Sequence, residues 1–425
     1  MNRCWLIIPS LLFLSSCAAM SGPRLQPEIT GLVASDQVKL AVDKIEATEA
    51  DYGQGNYLLY YLDRGLVEAY AGLHAQSIQS FEKAKRRFEE LYTQSVSKEA
   101  ASWIGNDYAL PYRGADYEYV FVNVFQALNY LASGNVNEAL VEARDLDSKY
   151  QVVEKLAAGG GNRRFEDNGF ARMFMGFVSE ATGRPEDRDN ARIFYQQAEA
   201  VYARYYGGGY EPQVLKERLN AVSGWNSGDN RAVVYVLQLA GFAPVKEQLF
   251  LPVPLEDGVV AQVAFPRFVA RPFMAHRGMV TAENAAGGSV RASTELGVSI
   301  ADLAVKDLES RKALALSKAV IRPALKYMVE HKQQENIQKK FGRPAGQIFG
   351  LISSLYNIYS ERADLRSWQS LPSEIRVARL ALDPGKYHMR FEHLSEDGAL
   401  VGTEELGDIN CLSGQTYFLV SRGRR

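Results

Sequence analysis

Cysteine and histidine are scarce: the 425 residues include three cysteines and five histidines. So few cysteines exclude a disulfide scaffold, and histidines this scattered exclude a dedicated zinc module. An excess of one charge is missing too, with 48 Lys and Arg against 50 Asp and Glu and a net charge of −2. Nothing in the overall field therefore attracts nucleic acid. The sequence contains no H-E-x-x-H, G-x-S-x-G, G-K-[ST] or acidic calcium loop, so no catalytic residue, metal or cofactor is expected. The triplets Gly159-Gly160-Gly161 and Gly207-Gly208-Gly209 lack the lysine and hydroxyl of a phosphate loop and read as hinges. His388 and His393 lie an odd number of residues apart in an expected strand, which puts them on opposite faces. What is present is 47% hydrophobic and 23% charged residues, enough for a sizeable core and two or three domains.

The first residues form an address. Arg3 precedes the apolar stretch Trp5 to Leu14, and Ser15-Ser16 leads to Cys17. A cationic start, a short apolar core and a small-residue exit make a secretory signal over 1–16, too short to span a bilayer. The cysteine directly after Leu14-Ser15-Ser16 resembles the bacterial lipobox, which implies lipidation of Cys17 and stable membrane anchoring. Ala18 at the following position, by resemblance to Gram-negative lipoproteins, implies sorting to the outer membrane. Residues 17–30, with Pro23, Pro27 and Gly22, read as a lipidated tether. Cys411, alone between apolar neighbours, reads as a small buried residue of a strand.

From 31 to 225 the apolar spacing is helical and prolines are nearly absent. Three segments follow the small-and-aromatic grammar of tetratricopeptide (TPR) repeats. They are Gly65, Gly72, Ser77, Phe81 and Ala84, then Ala127, Tyr130, Gly134 and Ala139, with Ala143 where an aromatic is expected, then Gly176, Gly183, Ala191, Tyr195 and Ala198. In the third, residues 184–190 are expected to swell the turn. The turn glycines are spaced irregularly, so an irregular TPR-like helical domain is expected, and such an array exposes a groove for extended peptides. Of the 23 tyrosines, 17 fall between Tyr52 and Tyr210, a bias that suits a binding surface as well as packing between repeats.

Between the first two repeats runs a polar, aromatic connector from Trp103 to Glu118, punctuated by Pro111 and Gly114. Its Asn106, Asp107, Tyr112, Arg113, Tyr117 and Glu118 are candidate partner-binding residues, because long loops on a rigid scaffold concentrate function. From Tyr60 through this connector, and again over Ala363-Asp364-Leu365-Arg366-Ser367-Trp368-Gln369-Ser370-Leu371-Pro372, the chain resembles uncharacterised Gram-negative lipoproteins with a TPR-like N-terminal half. That resemblance implies genes encoded near those of lipoprotein activators of peptidoglycan synthases, and hence a context of envelope biogenesis. Asp364, Arg366 and Trp368 form the most distinctive polar cluster, expected to be a structural junction.

Beyond 226 the period changes to that of strands. Val233 to Leu237, Gln248 to Leu251 and Val259 to Phe265 form one β-rich group. Ile375 to Leu382, Tyr387 to Phe391, Ala399 to Glu404 and Thr416 to Val420 form another. An α+β chain is thus expected, its helical domain followed by an antiparallel β domain (226–425). A helical-hairpin insertion at about 298–364 is kinked at Pro323 and carries an apolar arm over 345–360. The function expected is that of a membrane-anchored interaction or scaffolding module meeting an envelope protein or peptide. The alternative is a cell-wall or glycan enzyme using carboxylates such as Asp107 and Glu118.

Overall fold

The computed structural model describes residues 22–93, 110–158, 167–205, 210–223, 230–254, 260–310 and 363–423. Cys17, Asn106, Asp107, Pro323 and the apolar arm lie outside them. Over the described residues the chain is α+β, with helices in the N-terminal half and sheets in the C-terminal half.

The expected tether is helical from residue 22, because its inner face finds a partner. Helix α1 (Gly22–Ala34) contains Pro27 and keeps Gln26, Ile29 and Val33 against the core. Two short helices, α2 (Val38–Ala47) and α3 (Glu49–Tyr52), lead into α4 (Tyr57–Tyr70) and α5 (His74–Thr93). The next pairs are α6 (Asp116–Ala132) with α7 (Val136–Ala158), and α8 (Gly169–Ala181) with α9 (Pro185–Tyr205). The turn glycines of these pairs, Gly72, Gly134 and Gly183, all have positive φ, a conformation that costs a side-chain-bearing residue energy. Where α4 and α5 cross, a Cβ on Gly65 would sit 2.8 Å from the Phe81 ring, and one on Gly176 would sit 2.2 Å from Tyr195. The swollen turn expected at 184–190 is instead the start of α9. Pro185 opens that helix where its missing N–H is not needed, and Glu186 and Asp187 occupy the first turn. Helix α10 (Gln213–Ser223) completes the half.

The strands are β1 (Ala232–Ala240), β2 (Val245–Pro254), β3 (Val260–Val269), β4 (Arg277–Asn284), β5 (Ser289–Ser293), β6 (Glu295–Ser299), β7 (Glu374–Leu382), β8 (Gly385–Leu394), β9 (Leu400–Cys411) and β10 (Thr416–Arg422). They form one four-stranded sheet in the order β10-β1-β7-β6, another in the order β5-β4-β8-β9, and a β2-β3 ribbon. Each four-stranded sheet draws strands from both sides of the insertion, so the two β-rich stretches close one assembly. The sheets are not wholly antiparallel, since β1 runs parallel to β10. Residues 295–299, placed partly in the insertion by sequence, pair with β7 as a strand, and the helix that follows covers 300–310.

Strand β1 explains the layering. Ala232, Val234 and Val236 pack with Ala378, Leu380 and Leu382 of β7 against Val280, Met389 and Phe391 of the other sheet. The alternate residues Tyr235, Leu237 and Leu239 join the core of the helical half, where Tyr235 stacks on Phe177 at 4.1 Å between ring centroids. Buried on both faces, β1 shows a nearly continuous apolar run. Three layers result: helices, the first sheet and the second sheet. Cys411, 1% exposed, closes the inter-sheet core. His388 is exposed and His393 buried, on opposite faces of β8.

Candidate functional site

An irregular strap, residues 363–373, with a turn at Gln369-Ser370, passes between the helices and the first sheet. From Arg366 to Ser373 every residue is buried, although the segment has no regular secondary structure and Arg366, Ser367, Gln369, Ser370 and Ser373 are polar. Buried backbone must be paired, and here its partners come from many elements. Lys246 of β2 donates to the Arg366 carbonyl at 2.9 Å, and Gln26 of α1 to the Ser367 carbonyl at 2.9 Å. The Arg271 guanidinium donates to the Gln369 carbonyl, and Tyr70 of α4 to the Ser370 carbonyl at 3.2 Å. The Ala243 amide meets the Leu371 carbonyl at 2.7 Å.

Two buried carboxylates hold the strap from the helical side. Glu118 is the third residue of α6, and its Oε2 accepts from the Ala115 amide at 2.9 Å, tying the helix start as a capping glutamate does. The same oxygen accepts the Tyr112 hydroxyl at 2.5 Å, while Oε1 accepts the Trp368 amide at 2.8 Å and meets the Tyr117 hydroxyl at 3.5 Å. Asp63 of α4 accepts from the Ser370 hydroxyl at 2.7 Å, from Gln26 at 2.8 Å and from Tyr52 at 3.2 Å. Burial pushes the Asp63 carboxyl up to about 6 against three hydrogen bonds that lower it, with the nearby Glu118 charge adding to the rise. Glu118 is raised by burial as well, opposed by the Tyr112, Trp368 and Ala115 donors.

Arg366 and Trp368 supply the strap's own anchors. The Arg366 guanidinium pairs with Asp364 at 2.7 Å, donates to Asn56 and to the Leu110 carbonyl at 3.0 Å each, and lies 5.5 Å from the centre of the Tyr112 ring. Trp368 is fully buried, with Phe81 and Phe125 edge-on at 6.0 and 6.1 Å. Such aromatic contacts add to the burial of the ring itself.

The structure thus brings Tyr112, Tyr117 and Glu118 together with Asp364, Arg366 and Trp368. The first three lie in the interior, engaged by the chain's own strap, and Arg113 beside them is half-buried. Sequence reasoning missed Asp63, Gln26, Arg271 and Lys246. Asp63 had a signal: it stands at helical spacing from Leu59, Leu62 and Leu66, on the apolar face of α4, where a carboxylate needs a reason to be. The other three gave none.

Two further clusters have no catalytic form. His393 is buried, and its Nε2 faces both Glu404 at 3.3 Å and Ser421 at 3.4 Å. A base that activates a hydroxyl needs its acid behind the other ring nitrogen. Asn123 bridges Glu142 and Asp145 at 2.7 and 2.8 Å, while Lys85 sits 3.0 Å from Glu142 and Lys149 3.2 Å from Asp145. Burial lowers the Lys149 ammonium to about 8. Among the described residues no group of three His, Cys, Asp or Glu side chains could hold a metal ion, and no helix is long and apolar enough to cross a membrane. In comparisons with protein-family models, curated proteins and solved structures, the chain matches none.

Proposed function

We propose that the protein is an outer-membrane lipoprotein, anchored through Cys17, whose TPR-like helical half is an interaction or scaffolding module of the bacterial envelope, in the setting of peptidoglycan synthesis. The reading rests on one observation: the helical half holds a peptide segment without regular secondary structure, and that segment is the chain's own strap. Glu118 takes a backbone amide, the Phe81 and Phe125 rings take a tryptophan, and Gln26 and Tyr70 take carbonyls. These are the ways a helical-repeat groove grips an extended segment. The left-handed turn glycines and the ring-on-glycine crossings of Gly65 with Phe81 and Gly176 with Tyr195 support the TPR-like reading.

With the strap in place, an envelope protein or peptide is recruited on the outside of the array, and the strap fixes the array to the sheets as one scaffold. The enzymatic alternative is less well supported, because both Glu118 oxygens are engaged by the strap and its neighbours. The experiment is affinity capture of the full lipidated chain from detergent-solubilised envelopes, with in-cell cross-linking. A specific partner, recovered with the unaltered chain and lost when Trp368→Ala loosens the array from the sheets, supports the proposal. Recovery of no specific partner in either format overturns it.

A further inference from the structure

On the outer side of the α4–α5 pair, away from the strap, is an open hollow of about 310 Å³. Tyr57 and Tyr61, one helical turn apart on α4, form one wall, and Lys83, Arg86, Arg87 and the carboxylate Glu90 of α5 form the other, with Gln54 at the edge. The spacing of three and four residues puts each set on one helix face. The tyrosine rings lie 6.4 Å apart and are inclined by 38°, and the Lys83 ammonium stands 5.4 Å from the centre of the Tyr61 ring.

The cations here are treated differently from their neighbours. On the inward side of α5, Lys85 is matched to Glu142 and Asp145. On α4, Arg64 is matched to Glu46 and Glu68. In the hollow, Arg87 is paired to Glu90 at 2.7 Å, whereas neither Lys83 nor Arg86 has an ion pair among the described residues. Three cations against Glu90 in the lining, with Glu49 acting on Tyr61 from beside it, leave a local excess of positive charge next to two aromatic rings in a chain of net charge −2. Such an excess draws an anion.

We propose that this hollow binds an anionic sugar, with Lys83 and Arg86 on its phosphate or carboxylate and Tyr57 and Tyr61 against its ring. The volume is at the lower end for small-ligand sites, suited to about one ring and too short for an extended peptide. The inclined tyrosines form no parallel slot for a flat base, but they offer faces to the C–H side of a saturated ring. The Gln54 amide can meet its hydroxyls. The site is independent of the strap and of the partner reading above.

The test is calorimetric titration of the full chain in detergent with glucose 6-phosphate, glucuronate, glucose and inorganic phosphate. One of the two anionic sugars should bind saturably, and which one binds distinguishes phosphate from carboxylate recognition. Glucose and inorganic phosphate should each bind at least about tenfold more weakly, a loss of roughly 1.4 kcal/mol. The pair Lys83→Ala and Arg86→Ala, both exposed positions, should weaken binding by about tenfold or more. Tyr61→Ala should also weaken it, and Tyr61→Phe should retain it. The proposal is overturned if neither sugar binds, if affinity survives the double alanine change, if inorganic phosphate binds as tightly, or if an acidic peptide binds more tightly than either sugar.

Discussion

The seam between the two sheets and the seam between the strap and the helices are both buried, yet one is mainly apolar and the other mainly polar. Between the sheets, Val234, Val236, Leu380, Met389 and Phe391 meet in an apolar cluster, with Gln238, His393 and Ser421 as buried polar groups beside it. Around the strap, Asp63, Glu118 and Arg366 are buried with a tryptophan. An apolar seam gains by area and tolerates any filling of similar volume. A polar seam gains little net energy per bond but is costly to leave half-satisfied. The strap seam therefore contributes register and uniqueness to the way helices and sheets join, and the sheet seam contributes bulk stability.

That contrast can be broken from either side. The largest effect is expected from Trp368→Ala, which should cost about 3–5 kcal/mol and let protease cut near 363–373 before the sheets unfold. Denaturant titration with timed proteolysis checks it. Leu380→Ala in the sheet seam should cost about 2–4 kcal/mol, equally at pH 5 and pH 7, when unfolding is followed at both values. The strap seam should respond to pH. Asp63 has a folded pKa of about 6 against an ordinary value near 3.9, so the folded chain holds its proton over that interval. Stability from this group therefore rises as pH falls from above 6 towards 4, by at most about 3 kcal/mol. Glu118, also raised, adds with the same sign. Asp63→Asn should flatten that slope, as read from urea midpoints across the range. The smallest loss is expected from Glu118→Gln, about 1–3 kcal/mol, because the amide keeps an acceptor but puts a donor towards groups that already donate.

The difference between the seams also decides what could be read from the sequence. Seven strands showed because Val233 to Leu237 or Ile375 to Leu382 report burial through their own composition. Strands β4 and β6 did not, because close packing takes the place of propensity, and the short, exposed β5 (Ser289–Ser293) has no apolar run to report. Gly278 lies beneath the Phe391 ring and Gly297 beneath Phe170, and a glycine in a strand reads locally as a break. The helix pairs were legible through Gly72, Gly134 and Gly183. The polar cluster of Asp364, Arg366 and Trp368 was legible as unusual, but its partners were not. Glu118 is 250 residues from Trp368 in sequence, Asp63 307 from Ser370 and Gln26 341 from Ser367, and no local pattern encodes pairings at that range. The tether failed for the same reason: Pro27 and Gly22 suggest a break, and only the distant strap and Asp63 give Gln26 a reason to be helical and buried.

The most direct measurement is hydrogen exchange along residues 363–373 in the intact chain. If the strap is held as described, its amides from Arg366 to Ser373 exchange as slowly as those of β1 despite lacking regular structure, and Glu118→Gln selectively speeds the Trp368 amide. Complete exchange of the segment within seconds, while β1 remains protected, would contradict the buried, hydrogen-bonded strap and with it the joining of helices to sheets through it.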